Sequence, residues 1–264
     1  MDKPTLHFIK IGGNIIDNEQ ALAQVLAQIC TFNEPFILIH GGGKVATKLC
    51  ETLLIETNLI DGRRVTDAAT LEIVTMVYAG LINKKLVAQL QAQGKNAIGL
   101  SGADANIIPA KKRNTMPINY GFVGDLDANT IGVNSLEVLL KNNMIPVVSS
   151  ITHDGNGQLL NTNADTIAAT LAIAMGKNYN TKLYLCFEKK GVLTDANQTD
   201  AVLPTLNENT YYTLKENGII NKGMIPKVDN AFAALKQGVS QVFIMHALDL
   251  NNTQNATGTQ LVIG

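Results

Sequence analysis

The sequence predicts an α/β fold in which helices cover both faces of a mostly parallel, open β-sheet. Short apolar runs alternate along the chain with segments whose apolar residues recur at helical spacing. Some of these runs, such as Phe36–His40, are apolar almost throughout, as expected of strands that are covered on both faces. Regular alternation of strands and helices favours right-handed βαβ units and therefore a parallel sheet.

Each element follows from one of these two patterns. The expected strands cover residues 6–11, 36–40, 96–100, 145–149, 182–187 and 241–245, with residues 261–263 closing the edge of the sheet. The expected helices cover residues 19–31, 44–57, 68–93, 134–142, 164–175, 208–217 and 227–237. Pro, Gly and polar alternation across residues 107–125 indicate a β-hairpin.

Composition excludes several classes of function. The chain has 264 residues, of which 46 % are hydrophobic, and a net charge of −1 without a basic block, so a nucleic-acid partner is not expected. No stretch approaches the roughly 18 apolar residues of a membrane helix. The N-terminal apolar run is too short for a signal peptide, which favours the cytoplasm. Three scattered cysteines predict reduced thiols, and four isolated histidines give no metal-ligand spacing.

Glycines cluster where three of the predicted strands end. They are Gly12 and Gly13, Gly41 to Gly43, and Gly99 with Gly102. Backbone N–H groups at such a position, combined with the start of a helix, form an anion site. A Walker A loop does not fit any of these stretches. The spacing Gly41-x-Gly43-x-x-Ala46 matches a dinucleotide fingerprint, but it follows the second strand and no suitably spaced acidic residue comes after it.

An α/β-hydrolase is a further alternative. HGGG resembles an oxyanion loop, and GLSGA at 99–103 nearly matches a nucleophile elbow centred on Ser101. Asp195 or Asp229, followed by His246, would complete the chain order of such a triad. The elbow lacks its last glycine, however, and this interpretation gives Lys10 no role.

Two lysines are placed where an anion would explain them. Lys10 ends an apolar strand directly before a glycine pair, where a buried charge needs a partner. Lys227 follows Pro226, which suits the first turn of a helix, and a cation there opposes the helix dipole. The alternative for Lys227 is a solvated surface side chain. Together the two lysines favour a phosphate held from two sides, as phosphoryl transfer requires.

The segment LLNTNADTIAATLAIAM at 159–175 supplies a carboxylate for these lysines. Asn161 and Asn163 point the same way in an extended lead-in, and Asn163 also suits a helix cap. Asp165 then falls in the first helical turn, where an anion is favoured. A carboxylate there could orient both ammonium groups. Arg64, within GRRVTD, offers a guanidinium that matches a substrate carboxylate bidentately.

At these residues the sequence resembles the amino-acid kinase family, and within it the enzymes that phosphorylate N-acetyl-L-glutamate. The resemblance covers essentially the whole chain. It rests on KIGGN, HGGGK, GRRVTD, GLSGADA, GFVGD, VN at 133–134, PVVSSI, LLNTNADTIAATLA, KKGVL and GIINKGMIPKV, in this order. It implies a three-layer αβα sandwich. Residues 1–175 would form a lobe for the acylated amino acid and for dimerisation, and residues 176–264 a lobe for ATP.

The resemblance also implies roles for particular residues. The catalytic set would be two phosphoryl-stabilising lysines, an organising aspartate and two glycine N–H groups, namely Lys10, Lys227, Asp165, Gly13 and Gly43. The substrate-binding set would be Gly42, Gly43, Arg64, Asn161 and Asn163. The nucleotide-binding set would be Glu188, Lys189, Lys190, Gly191, Val192, Leu193, Ile219, Ile220 and Asn221.

The reaction that the resemblance implies is ATP-dependent phosphorylation of the γ-carboxylate of N-acetyl-L-glutamate, the second step of arginine biosynthesis. A carboxylate is ionised at pH 7, so no general base is required. Mg²⁺ would be held through the nucleotide phosphates, without a protein metal site. The alternatives are N-succinyl-L-glutamate as acceptor, suggested by the basic residues 111–113, another activity such as glutamate 5-kinase or aspartate kinase, and a non-catalytic amino-acid-binding protein.

Two features depart from the family's pattern. The nucleotide-lobe segment reads LCFEKKGVL rather than close to LTDVxGVL, which affects the expected adenine or ribose contacts. Only nine residues precede Lys10, whereas arginine-inhibited hexameric relatives carry a longer N-terminal helix. The expectation is an arginine-insensitive homodimer, with the long helix at 68–93 as the candidate interface.

Overall fold

The computed structural model describes residues 3–60, 62–195, 201–220, 224–252 and 258–264. Within these ranges the strands are β1 (Thr5–Ile11), β2 (Phe36–His40), β3 (Leu59–Ile60), β4 (Arg63–Arg64), β5 (Ala97–Leu100), β6 (Ala110–Lys112), β7 (Gly124–Leu126), β8 (Ile145–Ser149), β9 (Ile151–His153), β10 (Leu159–Asn161), β11 (Asn180–Phe187), β12 (Thr205–Leu206), β13 (Gln241–His246) and β14 (Thr259–Leu261). The α-helices are α1 (Gly13–Ile16), α2 (Glu19–Ile29), α3 (Gly43–Thr52), α4 (Ala68–Thr75), α5 (Asn83–Ala92), α6 (Val133–Lys141), α7 (Ala164–Met175), α8 (Glu208–Glu216) and α9 (Ile225–Lys236).

Eight strands form the main sheet, in the order β12-β14-β13-β11-β1-β2-β8-β5. All neighbours in this sheet are parallel except β13 and β14. Strands from residues 1–175 occupy one half and strands from later residues occupy the other. The halves join where β1 pairs with β11 from Thr5 opposite Asn180 to Ile11 opposite Cys186. The assignment of separate binding roles to these halves stays a prediction.

Helices cover both faces of the main sheet, which confirms the three-layer αβα sandwich. The alternating side chains of β1 show the division, because Leu6 and Phe8 pack in the core beneath α6 to α9. Ile9 and Ile11 pack in the opposite core, beneath α2 to α5. Lys10 shares the face of Leu6 and Phe8, since strand side chains alternate. The pleat of the central strand therefore directs Lys10 towards α7 and α9.

The expected helix at 68–93 changes its hydrogen-bonding pattern in the middle. After α4, the chain continues as a π-helical segment, Met76–Ile82, before α5 resumes at Asn83. A π-helix closes its hydrogen bonds five residues apart instead of four and occurs frequently at functional sites. The pattern of apolar residues predicted a helix here but not this local widening.

Most element boundaries agree with the sequence-based expectation. The strands at 36–40 and 145–149 and the helix at 164–175 are confirmed residue for residue. The other main-sheet strands and helices are confirmed with ends shifted by one or two residues, except the helix expected at 44–57. That helix ends at Thr52 because the chain turns away at Leu54, which has a φ of 55°.

One expectation about the sheet is wrong. The C-terminal strand β14 covers Thr259–Leu261 and lies inside the sheet, between β13 and β12, so it does not close the edge. The true edge, β12, is two residues long and too short to give a periodic signal. The hairpin of β9 and β10 was not predicted, whereas the excursion at 107–125 does contain the antiparallel pair β6–β7.

No helix in the described ranges is both long and apolar enough to cross a membrane. Cys30, Cys50 and Cys186 are free thiols, as predicted.

Candidate active site

A buried carboxylate with a lysine on each of its oxygens lies on the α7–α9 face of the sheet. Lys10 Nζ, at the end of β1, lies 2.8 Å from Asp165 Oδ1. Lys227 Nζ, in the first turn of α9, donates a hydrogen bond to Asp165 Oδ2 at 2.6 Å. The side chains of Lys10, Asp165 and Lys227 are only 8 %, 7 % and 19 % exposed. Residues far apart in sequence thus form one charged cluster with a net charge of +1.

Burial and charge act against each other in this cluster. Burial lowers the pKa of Lys10 to about 8, although the neighbouring Asp165 raises it. Burial favours the neutral form of Asp165, but the two ammonium groups outweigh it and hold the pKa of that carboxyl below its usual value. Burial also opposes the charge of Lys227, and Asp165 outweighs it, so the pKa of Lys227 is raised. Asp165 therefore stays ionised at neutral pH.

Local sequence explains why these three groups meet. Asn163 caps α7 by accepting hydrogen bonds from the backbone N–H groups of Asp165 at 2.8 Å and Thr166 at 3.1 Å, which fixes Asp165 in the first turn. Pro226 lies at the start of α9, as predicted, and fixes Lys227 in its first turn. The solvated alternative for Lys227 is wrong, because the side chain is mostly buried.

Gly13 and Gly43 face each other beside this cluster. Gly13 is the first residue of α1 and Gly43 the first residue of α3. A Cβ atom added to Gly13 would lie 3.9 Å from the backbone nitrogen of Gly43, so the two backbones are close and no atom stands in the way of a small side chain. The first N–H groups of a helix lack intrahelical partners and suit an anion. One cleft of about 290 Å³ is lined by both glycines and by Lys10, Asp165 and Lys227.

Gly42 needs to be glycine for a different reason. A Cβ atom there would lie 2.3 Å from Ile82 Cδ1 and 2.9 Å from Tyr78 Cδ1. At Gly43 the nearest atom to an added Cβ is 3.9 Å away. The middle glycine of HGGGK therefore makes room for packing, whereas a Cβ atom at Gly43 would meet its neighbours only at ordinary van der Waals distances.

Gly42→Ala should consequently destabilise the fold much more than Gly43→Ala. Overpacking at residue 42 should lower the free energy of unfolding by about 1–3 kcal/mol. The same change at residue 43 should cost less than about 0.5 kcal/mol, because no neighbour has to move. Urea denaturation of the two variants, which differ by one position, measures both values. Equal losses would contradict this account of Gly42.

Arg64 approaches the cleft from β4, outside the main sheet. Its Nη2 donates to the carbonyl oxygen of Gly43 at 2.9 Å and to Thr47 Oγ1 at 2.6 Å. Its Nη1 is buried and has no hydrogen-bond partner among the described residues. Asp67 caps α4 three residues later. The guanidinium is thus held in place by one nitrogen and keeps a second nitrogen available for a ligand.

The two asparagines line the cleft, but they are held differently. Asn161, at the end of β10, donates from Nδ2 to Thr66 Oγ1 at 3.0 Å. Asn163 uses its oxygen to cap α7. The capping interpretation therefore accounts for the side-chain oxygen of Asn163 and not for its side-chain nitrogen.

The residues expected to bind nucleotide gather at a second, smaller cavity of about 70 Å³. It is lined by Lys189, Gly191, Val192, Leu193, Ile219, Ile220 and Met224. Glu188 instead lies close enough to Lys227 to raise the pKa of that lysine. Lys190 follows Lys189 in the same turn, and Asn221 lies outside the described residues. Met224, which lines this cavity, is three residues before Lys227 in the sequence. The cavity and the charged cluster therefore share one short stretch of chain.

The hydrolase alternative is wrong. Ser101 follows the edge strand β5, and its hydroxyl donates to Asp104 Oδ2 at 2.9 Å. His246 ends β13, which is five strands away, or about 24 Å at ordinary strand spacing. Asp229 accepts a hydrogen bond from Tyr211. Ser101 and His246 cannot form a catalytic triad across the sheet.

The cleft also contains residues that the sequence did not identify. Tyr78, from the π-helical segment, and Arg113, directly after β6, both line it. Arg113 is paired with Asp125 through an ion pair. No motif marks Tyr78, and the basic run at 111–113 was the only signal for Arg113.

Comparison with known proteins agrees with this geometry. The Amino acid kinase family matches residues 6–246. An acetylglutamate kinase of Cytophaga hutchinsonii is 52 % identical over 261 residues, which is 97 % of this chain and 98 % of that protein. An acetylglutamate kinase of Phocaeicola vulgatus is 47 % identical over 249 residues, covering 94 % and 96 %.

Solved structures share this fold. The protein smu.665 from Streptococcus mutans UA159 superposes with a TM-score of 0.81 at 29 % identity, covering 98 % of both chains. The carbamate kinase of Giardia lamblia superposes with a TM-score of 0.69 over 99 % of both chains, but at 14 % identity this likeness concerns the fold alone. Since the family match spans most of the chain and relatives are about half identical over nearly all of it, the chain belongs to the amino acid kinase family.

Proposed function

We propose that this protein transfers the γ-phosphoryl group of ATP to the γ-carboxylate of N-acetyl-L-glutamate, forming an acyl phosphate in arginine biosynthesis. The observation that carries the proposal is the pair of buried lysines, Lys10 and Lys227, on the two oxygens of Asp165. Their ammonium groups lie in one cleft with two facing glycines, which suits a phosphoryl group. The acceptor is chosen because relatives of 44–52 % identity are acetylglutamate kinases.

For this phosphoryl transfer the protein has to position the two substrates and to stabilise the charge on the transferring group. An oxygen of the acceptor's γ-carboxylate bonds to the γ-phosphorus, and the bond from that phosphorus to the oxygen bridging to the β-phosphate breaks, so ADP leaves. The acceptor is already ionised at pH 7, and no proton has to be removed. Lys10 and Lys227 stabilise the charge on the transferring group from two sides. Asp165 acts through these lysines and holds their separation.

The substrate-binding roles follow the open contacts of the cleft. Arg64 Nη1, buried without a partner among the described residues, would bind the α-carboxylate of the acceptor. Asn161 and the side-chain nitrogen of Asn163 would bind the amino-acid portion, next to Gly42 and Gly43. The N–H groups of Gly13 and Gly43 would bind the γ-phosphoryl oxygens. The small cavity at Gly191 and Ile220 would hold part of the nucleotide.

Mg²⁺ would enter with the nucleotide. Both oxygens of Asp165 contact ammonium groups, and within the described ranges no three His, Cys, Asp or Glu side chains are grouped to hold a metal. These residues fit a cation held by phosphates and water rather than by a protein cage. When bound, the ion would neutralise phosphate charge.

The proposal is tested by measuring ADP release with N-acetyl-L-glutamate, N-succinyl-L-glutamate, L-glutamate and L-aspartate side by side. N-Acetyl-L-glutamate should give the highest kcat/KM, and hydroxylamine should trap its acyl phosphate as a hydroxamate. A higher kcat/KM with the succinyl compound would favour the second candidate, for which Arg113 in the cleft wall is the supporting observation. Phosphorylation of free glutamate or aspartate alone, or no ADP release with any acceptor, would contradict both.

The lowered pKa of Lys10 predicts an alkaline limb in the activity profile. Lys10 is cationic below its pKa of about 8 and neutral above it. The kcat/KM for ATP, which reports ionisations of the free enzyme, should therefore fall about tenfold per pH unit above that value. In the pH profile of kcat the same fall should begin at a higher pH than in that of kcat/KM, because bound phosphates favour the ammonium form of Lys10. A kcat/KM that stays constant from pH 7 to 9.5 would contradict a requirement for charged Lys10.

We also propose a cytoplasmic homodimer. Met76 and Leu81, on the outer side of the long helix, are 55 % and 48 % exposed, which is unusual for such large apolar side chains. Sedimentation of the wild-type protein and of Met76→Lys would test this interface, since the charge should shift the protein towards monomer.

A further inference from the structure

Tyr78 is a buried side chain that belongs to the cleft but has no role in the reaction described so far. It is 4 % exposed and lies in the wall that also contains Arg64, Gly42 and Gly43. It comes from the middle of the π-helical segment Met76–Ile82. A tyrosine here places a polar group at the end of an otherwise apolar helix face.

The ring of Tyr78 is held against the glycine loop. Its Cδ1 and Cε1 atoms would lie 2.9 and 3.1 Å from a Cβ atom at Gly42. The ring therefore takes the space that any side chain at residue 42 would need. Ile82, one helical turn further on, occupies the other side of that space. These contacts fix the direction in which the hydroxyl group points.

The hydroxyl group of Tyr78 lies beside the guanidinium of Arg64. A Cβ atom added to Gly43 would be 4.0 Å from the hydroxyl oxygen and 3.9 Å from Arg64 Nη2, so both groups lie close to residue 43 in the wall of the cleft. The guanidinium has only donors, so it cannot accept the phenol proton. The phenol proton is left to point away from Arg64. Burial raises the pKa of Tyr78, which keeps that proton in place at neutral pH.

The π-helical segment explains how Tyr78 reaches this position while the helix stays anchored. Asn83, five residues later, donates from Nδ2 to the carbonyl oxygen of Val147 at 2.9 Å and lies 3.1 Å from His40 Nε2. His40 Nδ1 lies 2.9 Å from the carbonyl oxygen of Gly41, and burial lowers the pKa of His40 to about 4, so its ring is neutral. Residues five apart diverge on an α-helix but come closer to one face on a π-helix. Tyr78 and Asn83 can thus both contact the HGGG loop.

We propose that Tyr78 is a substrate-binding residue whose hydroxyl group, with Arg64 Nη1, donates a hydrogen bond to the α-carboxylate of the acceptor. Tyr78 Oη and Arg64 Nη2 both lie near residue 43, and Nη1 of the same guanidinium has no partner among the described residues, so the pair of oxygens of a carboxylate would match the phenol hydroxyl and Nη1. The inference rests on the proposed function, since it concerns the same acceptor.

Tyr78→Phe tests the inference because it removes only the hydroxyl group and keeps the ring packed on Gly42. The KM for N-acetyl-L-glutamate should rise at least about tenfold, as expected for losing a hydrogen bond to a charged group. The KM for ATP should change less than about twofold, because the nucleotide is bound elsewhere. Tyr184→Phe is the matched control. That tyrosine is also buried, with its hydroxyl 3.2 Å from His7 Nδ1, but it does not line the cleft.

An acceptor analogue separates binding from a general structural effect. With N-acetyl-L-glutamate 1-amide, in which the α-carboxylate is replaced by an amide, Tyr78→Phe should lower kcat/KM by less than about threefold. An equal loss with both acceptors, an equal rise of both KM values, or an unchanged KM for N-acetyl-L-glutamate would overturn the role of Tyr78. Failure of the wild-type protein to phosphorylate N-acetyl-L-glutamate would instead overturn the proposed function itself.

Discussion

Replacing either Lys10 or Lys227 with alanine is expected to lower kcat by about 10²–10³-fold, the loss typical of removing one electrostatic donor to a transition state. Each lysine contacts its own oxygen of Asp165, so each variant leaves that carboxylate with one partner. Folding should therefore be little changed, and the thermal midpoint should stay within a few degrees of the wild-type value. Hydroxamate trapping of the acyl phosphate measures the loss of turnover.

Lys236→Ala is the control for this experiment. Lys236 lies in the last turn of α9, the helix that carries Lys227, and its side chain is 54 % exposed in an ion pair with Glu208. Its removal should leave kcat unchanged. Undiminished hydroxamate formation by Lys10→Ala or Lys227→Ala would show that the assigned lysine does not stabilise the transferring group.

Asp165→Ala is expected to have the largest effect on stability. It leaves two buried ammonium groups facing each other without the carboxylate between them. Breaking a buried ion pair by removing one partner commonly costs about 3–5 kcal/mol, because the remaining charge is uncompensated. Without Asp165, which raises the pKa of Lys10, that lysine should also become neutral at lower pH. Urea denaturation and kcat at pH 7 should therefore both show large losses.

The loss of stability in Asp165→Ala should shrink as the pH rises. Above the pKa values of the lysines, neither side chain is charged and no uncompensated charge remains. Glu208→Ala removes the partner of an exposed lysine instead, and it should cost about 1 kcal/mol or less, as exposed ion pairs do. Similar losses in the two variants would contradict the view that Asp165 holds two buried cations.

The parts of the site that lie next to regular elements could be predicted from sequence. Asn163 fixes the start of α7, so the position of Asp165 in the first turn follows from a local rule, and the same holds for Lys227 after Pro226. Lys10 follows from a charge at the end of an apolar strand. The meeting of these three side chains was predicted from the chemistry of a phosphate site and not from any local rule, because it depends on the order of strands in the sheet.

Other features depend on contacts between distant segments and left no local signal. The π-helical segment is matched to the side-chain-free backbone of Gly42, which lies far away in sequence. The hairpin of β9 and β10 was overlooked because its strands are three residues long. Gly42 was predicted to line the substrate site, and its neighbours add a reason that the sequence did not reveal, because packing against Tyr78 and Ile82 requires a glycine there.

The separation between the main sheet and the small hairpins bears on how this enzyme could change its acceptor during evolution. Lys10 is built into a buried central strand of the main sheet, and Asp165 and Lys227 into the first turns of helices that pack on this sheet, so the phosphoryl-handling residues are tied to the stability of the whole domain. Arg64 and Arg113 come from two-stranded ribbons at the rim. Amino-acid substitutions on these ribbons can therefore change the preferred acceptor at a small cost in fold stability. The residues that carry out phosphoryl transfer stay the same.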